Sequence, residues 1–157
     1  RTVSPASCES RVPTCDRARS DMSAHPIYHT LVRLYPKAFR DAYGGDLVQH
    51  LPELVGHDRH LHTPGEFADH DVRVVEATRV GGILGDRAPV KSHHHQAFGR
   101  LGRNLREAAW AEDGTVEAIE DPTRRFAVGV LWHPEEGEDL ALFEALVDEA
   151  RRYRAHR

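Results

Sequence analysis

Residues 126–132 read "FAVGVLW", a nearly continuous apolar run, and it ends abruptly in His133-Pro134-Glu135. The run is short, carries β-branched residues and follows the turn-like "PTRR". Those features predict a buried strand rather than a helix. Such a strand delivers His133 to its C-terminal edge, where open α/β sheets place their sites. Pro134 stiffens the turn. Glu135 stands two residues on, within reach of one imidazole nitrogen, which leaves the other nitrogen to act as a base. An imidazole and a carboxylate so arranged make two-thirds of a catalytic triad.

The rest of the chain falls into three parts. Residues 1–24 show no helical or strand period and carry Pro, Ser and scattered charge, which predicts a disordered or irregular tail. Residues 25–43 place Ile27, Leu31, Leu34, Phe39 and Tyr43 near one helical stripe, with Pro36 as a break. Residues 44–157 form the third part. Here "DLVQHLPEL" reads as a short helical piece, and "GHDRHLHTPGEFADH" reads as loop. "DVRVVE" and "APVKSH" read as strands, with "ATRVGGILG" between them as a short helix or turn. "LREAAWAE-DG-TVEAIE" reads as a hairpin closed by a type I′ turn at Asp113-Gly114. A helix from about Glu138 to Tyr153 aligns Leu140, Phe143, Val147 and Ala150 on one face. Acids crowd its start and arginines its end, as the helix dipole favours. Trp110 and Trp132 are expected in the core.

Composition narrows the function. A net charge of -4 gives no general attraction for nucleic acid. No apolar run approaches a membrane span, and no apolar leader core is visible, so no membrane partner and a cytoplasmic location are expected. The two cysteines, Cys8 and Cys15, lie in the irregular tail and do not suggest a disulfide scaffold.

The chemistry concentrates in three stretches: "GGDLVQHLPE" (44–53), "VKSHHHQAFGRL" (90–101) and "VLWHPEE" (130–136). With His70-Asp71-Val72 and Asp113 through Glu120 between them, they follow an ordered series. The order resembles the class I glutamine amidotransferase-like fold. Within it, the resemblance is to the γ-glutamyl-γ-aminobutyrate hydrolase family of cysteine peptidases, over residues 44–152. That family shows "GG-x-L-x-Q-x-L-P", "H-x-V", "V-N-S-x-H-H-Q", "DG-x-x-E-A-I-E" and "G-V-Q-W-H-P-E". Lys91 stands where the family usually has Asn, and Leu131 where it usually has Gln.

The resemblance implies a flavodoxin-like α/β layer and hydrolysis of a γ-glutamyl amide by a cysteine thiolate. His133 would be the base and Glu135 its orienting partner. Ser92, His94, His95 and Gln96 would line the substrate pocket. No metal or organic cofactor is implied. The family's nucleophile sits in a strained turn, "G-x-C-x-G-x-Q", shortly before "GG-x-L". Here the residues before Gly44 read "RLYPKAFRDAYG", with no cysteine. Cys15, in "RVPTCDRARSD", is the nearest candidate nucleophile and lacks flanking glycines.

Residues 22–49 also faintly resemble helical segments that precede some bacterial permease domains. The expectation is therefore a partial layer lacking its front half, joined to an unrelated helical segment. Exposed strand edges would then invite self-association. The expected function is membership of that hydrolase family without activity in this chain, because the nucleophile turn is missing, and two alternatives stay open. One is a non-catalytic remnant. The other is a metal-binding module, because the chain holds 12 histidines. His57, His60, His62 and His70 have loose metal-ligand spacing, with Asp58 or Asp71 as oxygen donors, but this loop has no register to fix them and no cysteine.

Overall fold

The computed structural model describes residues 45–61, 63 and 65–156. The expected tail at 1–24, the helical segment at 25–43, and with them Cys8 and Cys15, lie outside the described residues, as does His62.

The chain enters on β1 (Leu47–Val48) and turns into α1 (Leu51–Val55). It then crosses a long loop to β2 (Ala68–Val74), α2 (Arg79–Leu84) and β3 (Arg87–Ser92). After β4 (Ala97–Phe98) come β5 (Arg106–Ala111), β6 (Val116–Glu120) and β7 (Val128–Val130), then a 3₁₀ turn at Pro134–Glu136 and the last helix, α3 (Ala141–Ala155). β1 and β4 make a small ribbon; the main sheet has the order β3-β2-β5-β6-β7. Every pairing among the described strands is antiparallel.

β2 shows why this sheet has one inner face. His70, Val72 and Val74 alternate with exposed Asp69, Asp71 and Arg73, as period-two geometry requires. Val72 pairs with Ala88 and His70 with Val90 on β3. Val72, Val74, Ala88 and Val90, with Ala108, Ala109, Ala118, Val80 and Trp132, build the core. Trp110 is not in it. It stands on the outer side with the Arg73 guanidinium 5.3 Å from its ring centre, and its indole N–H donates to Glu107.

The hairpin expected at Asp113-Gly114 forms, with a longer loop. Gly114 N–H donates to Ala111 O and Ala111 N–H to Thr115 O, and Gly114 has φ +85°. That is a three-residue loop with glycine in the left-handed position, not a two-residue type I′ turn.

α2 is held at its start by two side chains. Thr78 Oγ1 accepts the Gly81 N–H at 2.9 Å and Glu120 Oε2 accepts the Arg79 N–H at 2.7 Å. Glu120 is 1% exposed. Its other oxygen takes both Nε and Nη2 of Arg106, so the buried charge is paired and hydrogen-bonded.

The run "FAVGVLW" departs from expectation. Only Val128–Val130 is strand, it is half-buried, and it forms one edge of the sheet. A three-residue strand with one neighbour cannot bury both faces. The apolar residues after it leave the ladder: Leu131 N–H donates to Glu117 O on β6, and His133 N–H to Lys91 O on β3, at 2.8 Å. The chain therefore passes from one edge of the sheet to the other and curls it, and on the way Trp132 enters the core at 5% exposure.

The last helix begins at Ala141, whose N–H is taken by the Asp139 carboxylate. None of its residues is buried. Leu142 packs against the core, while Leu140, Phe143, Leu146 and Val147 are exposed. The stripe of Leu140, Phe143, Val147 and Ala150 lies outward, because α2 covers only one flank of a broad apolar arc. Among the described residues no helix is long and apolar enough to cross a membrane.

Candidate active site

His133 leaves the sheet fixed by its own backbone bond to β3 and is followed at once by the 3₁₀ turn. That turn brings Glu135 back onto the ring: Nδ1 and Glu135 Oε1 are 2.7 Å apart. Both side chains reach solvent, the imidazole at 36% and the carboxylate at 55%. The hydrogen bond from His133 draws the Glu135 carboxyl below its ordinary range. A carboxylate only accepts, so it selects the ring form with the proton on Nδ1 and leaves the lone pair on Nε2.

Around that ring stand Phe67, edge-on with centroids 5.0 Å apart, and His93, at 6.4 Å. A cavity of about 660 Å³ opens beside it, lined by Asp69, Lys91, Trp132, His133, Glu136 and Leu142 among others. Lys91 Nζ pairs with Asp69 at 2.7 Å, and a lysine in place of the expected amide thus sets a charge pair at the cavity wall.

The residues expected to line a pocket are dispersed. Ser92 is fully buried and its hydroxyl donates to the His60 carbonyl. His94 turns inward, with Nδ1 on the Gln96 carbonyl and Nε2 3.2 Å from Glu117 Oε1. His95 is exposed, and its carbonyl accepts the Leu51 N–H. The Gln96 amide donates to Gln49 Oε1, which ties "HHHQ" to the "GGDLVQ" stretch. The ring nearest His133 from this run is His93, which sequence reasoning passed over. The reach of a three-histidine run ending a strand is set by its side-chain alternation, and that was the available signal.

A second polar cluster lies inside the fold. Glu117 has no exposed surface. Its Oε1 is met by His60 Nδ1 at 3.0 Å, His94 Nε2 at 3.2 Å and His70 Nε2 at 3.4 Å. The His60 and His70 contacts lack the alignment of hydrogen bonds, and Glu117 Oε2 has no hydrogen-bond partner among the described residues. Asp113 Oδ2 takes His60 Nε2 at 2.8 Å and lies 3.3 Å from His57 Nε2. Burial pushes the Glu117 carboxyl up, but the three imidazoles outweigh it and hold it well below the usual carboxylate range. Burial likewise pushes His60 down; Glu117 and Asp113 outweigh that and raise it. Asp58 and Asp71, weighed as oxygen donors from the sequence, are exposed, and Asp71 pairs with Arg87.

The family model described as peptidase C26 matches residues 38–135. A provisionally named glutamine amidotransferase of Mycobacterium tuberculosis is 42% identical over 113 residues, covering 71% of this chain and 37% of that protein. The γ-glutamyl-γ-aminobutyrate hydrolase of Escherichia coli is 38% identical over 106 residues, 60% of this chain and 40% of its own length. The chain thus spans well under half the length of these two relatives. Among solved structures, a Thermoplasma acidophilum protein described provisionally as part of a GMP synthase superposes with a TM-score of 0.53. Its identity is 21%, over 71% of this chain and 51% of that one. The α/β fold is the one these proteins share.

Proposed function

The chain belongs to the peptidase C26 family, and from that premise we propose that it carries the base-and-carboxylate half of a cysteine-dependent γ-glutamyl amide hydrolase. The observation that carries this is the 2.7 Å contact between His133 Nδ1 and Glu135 Oε1, on a partly exposed ring that lines a cavity.

In that chemistry a thiol gives its proton to His133 Nε2 and the thiolate sulfur attacks the γ-carbonyl carbon. The carbonyl π pair moves to oxygen, and its return expels the amine, which takes the proton from His133. Water, deprotonated by the same nitrogen, then cleaves the thioester and frees glutamate and the thiol. Glu135 holds the ring and stabilises the imidazolium in both halves. The γ-glutamyl substrate class is supported by the relative in Escherichia coli, whose name states that activity.

Neither Cys8 nor Cys15 is flanked by the glycines that a strained nucleophile turn needs. The reading for these 157 residues is accordingly a unit without its own nucleophile. The test is release of γ-aminobutyrate from γ-glutamyl-γ-aminobutyrate by the purified chain, beside a Cys15→Ala variant. Neither is expected to release product. Turnover that disappears in Cys15→Ala would show that the tail reaches His133 and would overturn this part of the proposal.

A further inference from the structure

The hydrolase reading makes no use of the interior cluster around Glu117. The second nitrogens of its rings settle where their protons lie. Asp113 Oδ2 is 2.8 Å from His60 Nε2, and the Gln96 carbonyl is 2.8 Å from His94 Nδ1. Both partners only accept, so Nε2 of His60 and Nδ1 of His94 carry protons. In a neutral ring the opposite nitrogen is then a bare lone pair. That lone pair on His60, Nδ1, faces Glu117 Oε1 at 3.0 Å without the alignment of a hydrogen bond, whereas His94 Nε2 meets the same oxygen at 3.2 Å in hydrogen-bonding geometry.

Acceptor against acceptor in a buried site is unfavourable. Either each ring takes a second proton or a cation joins them. The spacing fits a cation. Zinc holds nitrogen and oxygen donors so that the edges of its tetrahedron measure about 3.3 Å. Glu117 Oε1 is 3.0 Å from His60 Nδ1 and 3.4 Å from His70 Nε2, and donor atoms of all three residues lie within 4.8 Å of one another. Glu117 Oε2, fully buried, has no hydrogen-bond partner among the described residues, and neither has either nitrogen of His70. Asp113 on the far nitrogen of His60 is the carboxylate–histidine pairing that orients metal ligands.

We propose that His60, His70 and Glu117 bind one divalent cation of the zinc class, with Asp113 orienting His60 and His94 the nearest further imidazole. The three ligands come from the 56–67 loop, β2 and β6. The ion therefore pins the loop onto the sheet, and its burial makes the site structural.

The test uses the untagged full chain, stripped with a chelator and titrated with zinc against a chromophoric competitor. One equivalent should bind, and cobalt in its place should give the visible spectrum of a tetrahedral site. Asp113→Asn should weaken zinc binding about tenfold or more, and His70→Ala should abolish it. His95→Ala, in an exposed ring, should leave it unchanged. Should His70→Ala fail to fold, diethyl pyrocarbonate labelling of the unaltered chain decides: zinc should protect His60 and His70. Absence of stoichiometric binding, or protection confined to His93–His95, overturns the proposal.

Discussion

His133 Nδ1 and Glu135 Oε1 stand 2.7 Å apart with a single residue, Pro134, between them in sequence. The contact depends on the 3₁₀ turn that Pro134 begins, which folds the carboxylate back over the ring.

The first consequence is a titration. The hydrogen bond with His133 lowers the Glu135 pKa, so the carboxylate stays ionised as pH falls through the range where an ordinary glutamate protonates. A carboxyl carbon titration followed by NMR should place its midpoint below the ordinary glutamate range. In His133→Ala the midpoint should return upward. An unchanged midpoint in the variant would assign the shift to the turn's backbone instead.

The second concerns catalysis. Residues 44–152 of this chain, exchanged for the corresponding segment of the Escherichia coli hydrolase, should give an active chimera. His133→Ala in that chimera should lower kcat by about 10²- to 10⁴-fold, with Glu135→Gln intermediate. A chimera that keeps full kcat without His133 would remove it from the role of base.

Two adjacent glycines in α2 should respond with opposite signs. A Cβ on Gly81 would stand 2.2 Å from the Val75 carbonyl oxygen, whereas one on Gly82 meets nothing within 4 Å. Alanine in an exposed helical position gains roughly 0.5–1 kcal/mol over glycine. Gly82→Ala should therefore raise the urea midpoint. Gly81→Ala should lower it, because backbone must move to admit the methyl group.

Buried and exposed ion pairs should differ as strongly. Glu120→Gln removes the charge that Arg106 pairs with and sets an amide NH2 against either Arg106 or the Arg79 N–H, which should cost about 2 kcal/mol in urea unfolding. Arg125→Ala breaks an equally short contact to Glu149. Its guanidinium is half-exposed, so the loss should stay below about 1 kcal/mol.

The sequence carried unequal shares of this. The His133–Glu135 pair was legible because both groups lie within one turn and a proline fixes the backbone between them. The strands from Asp71 and around Val90 were legible through their alternation, whereas Ala68–His70, which begin β2, read as loop. The hairpin was legible through Asp113-Gly114. Its loop length was not, since the left-handed glycine could close either two or three residues. Glu117 escaped notice because a single carboxylate in an alternating strand looks like a solvent-facing residue. Only the curl of the sheet, which closes β6 over β2 and the 56–67 loop, shows that it faces inward toward His60 and His70. The outward direction of the α3 stripe was not legible for a related reason: periodicity reports an apolar arc, and not which part of it a neighbour covers.

The bond from the His133 N–H to the Lys91 carbonyl belongs to the main chain, so any residue except proline can make it. What holds the position and what reacts there are different atoms of the same residue. A lineage bearing this segment can exchange the imidazole while inheriting the scaffold intact, with nothing to refold.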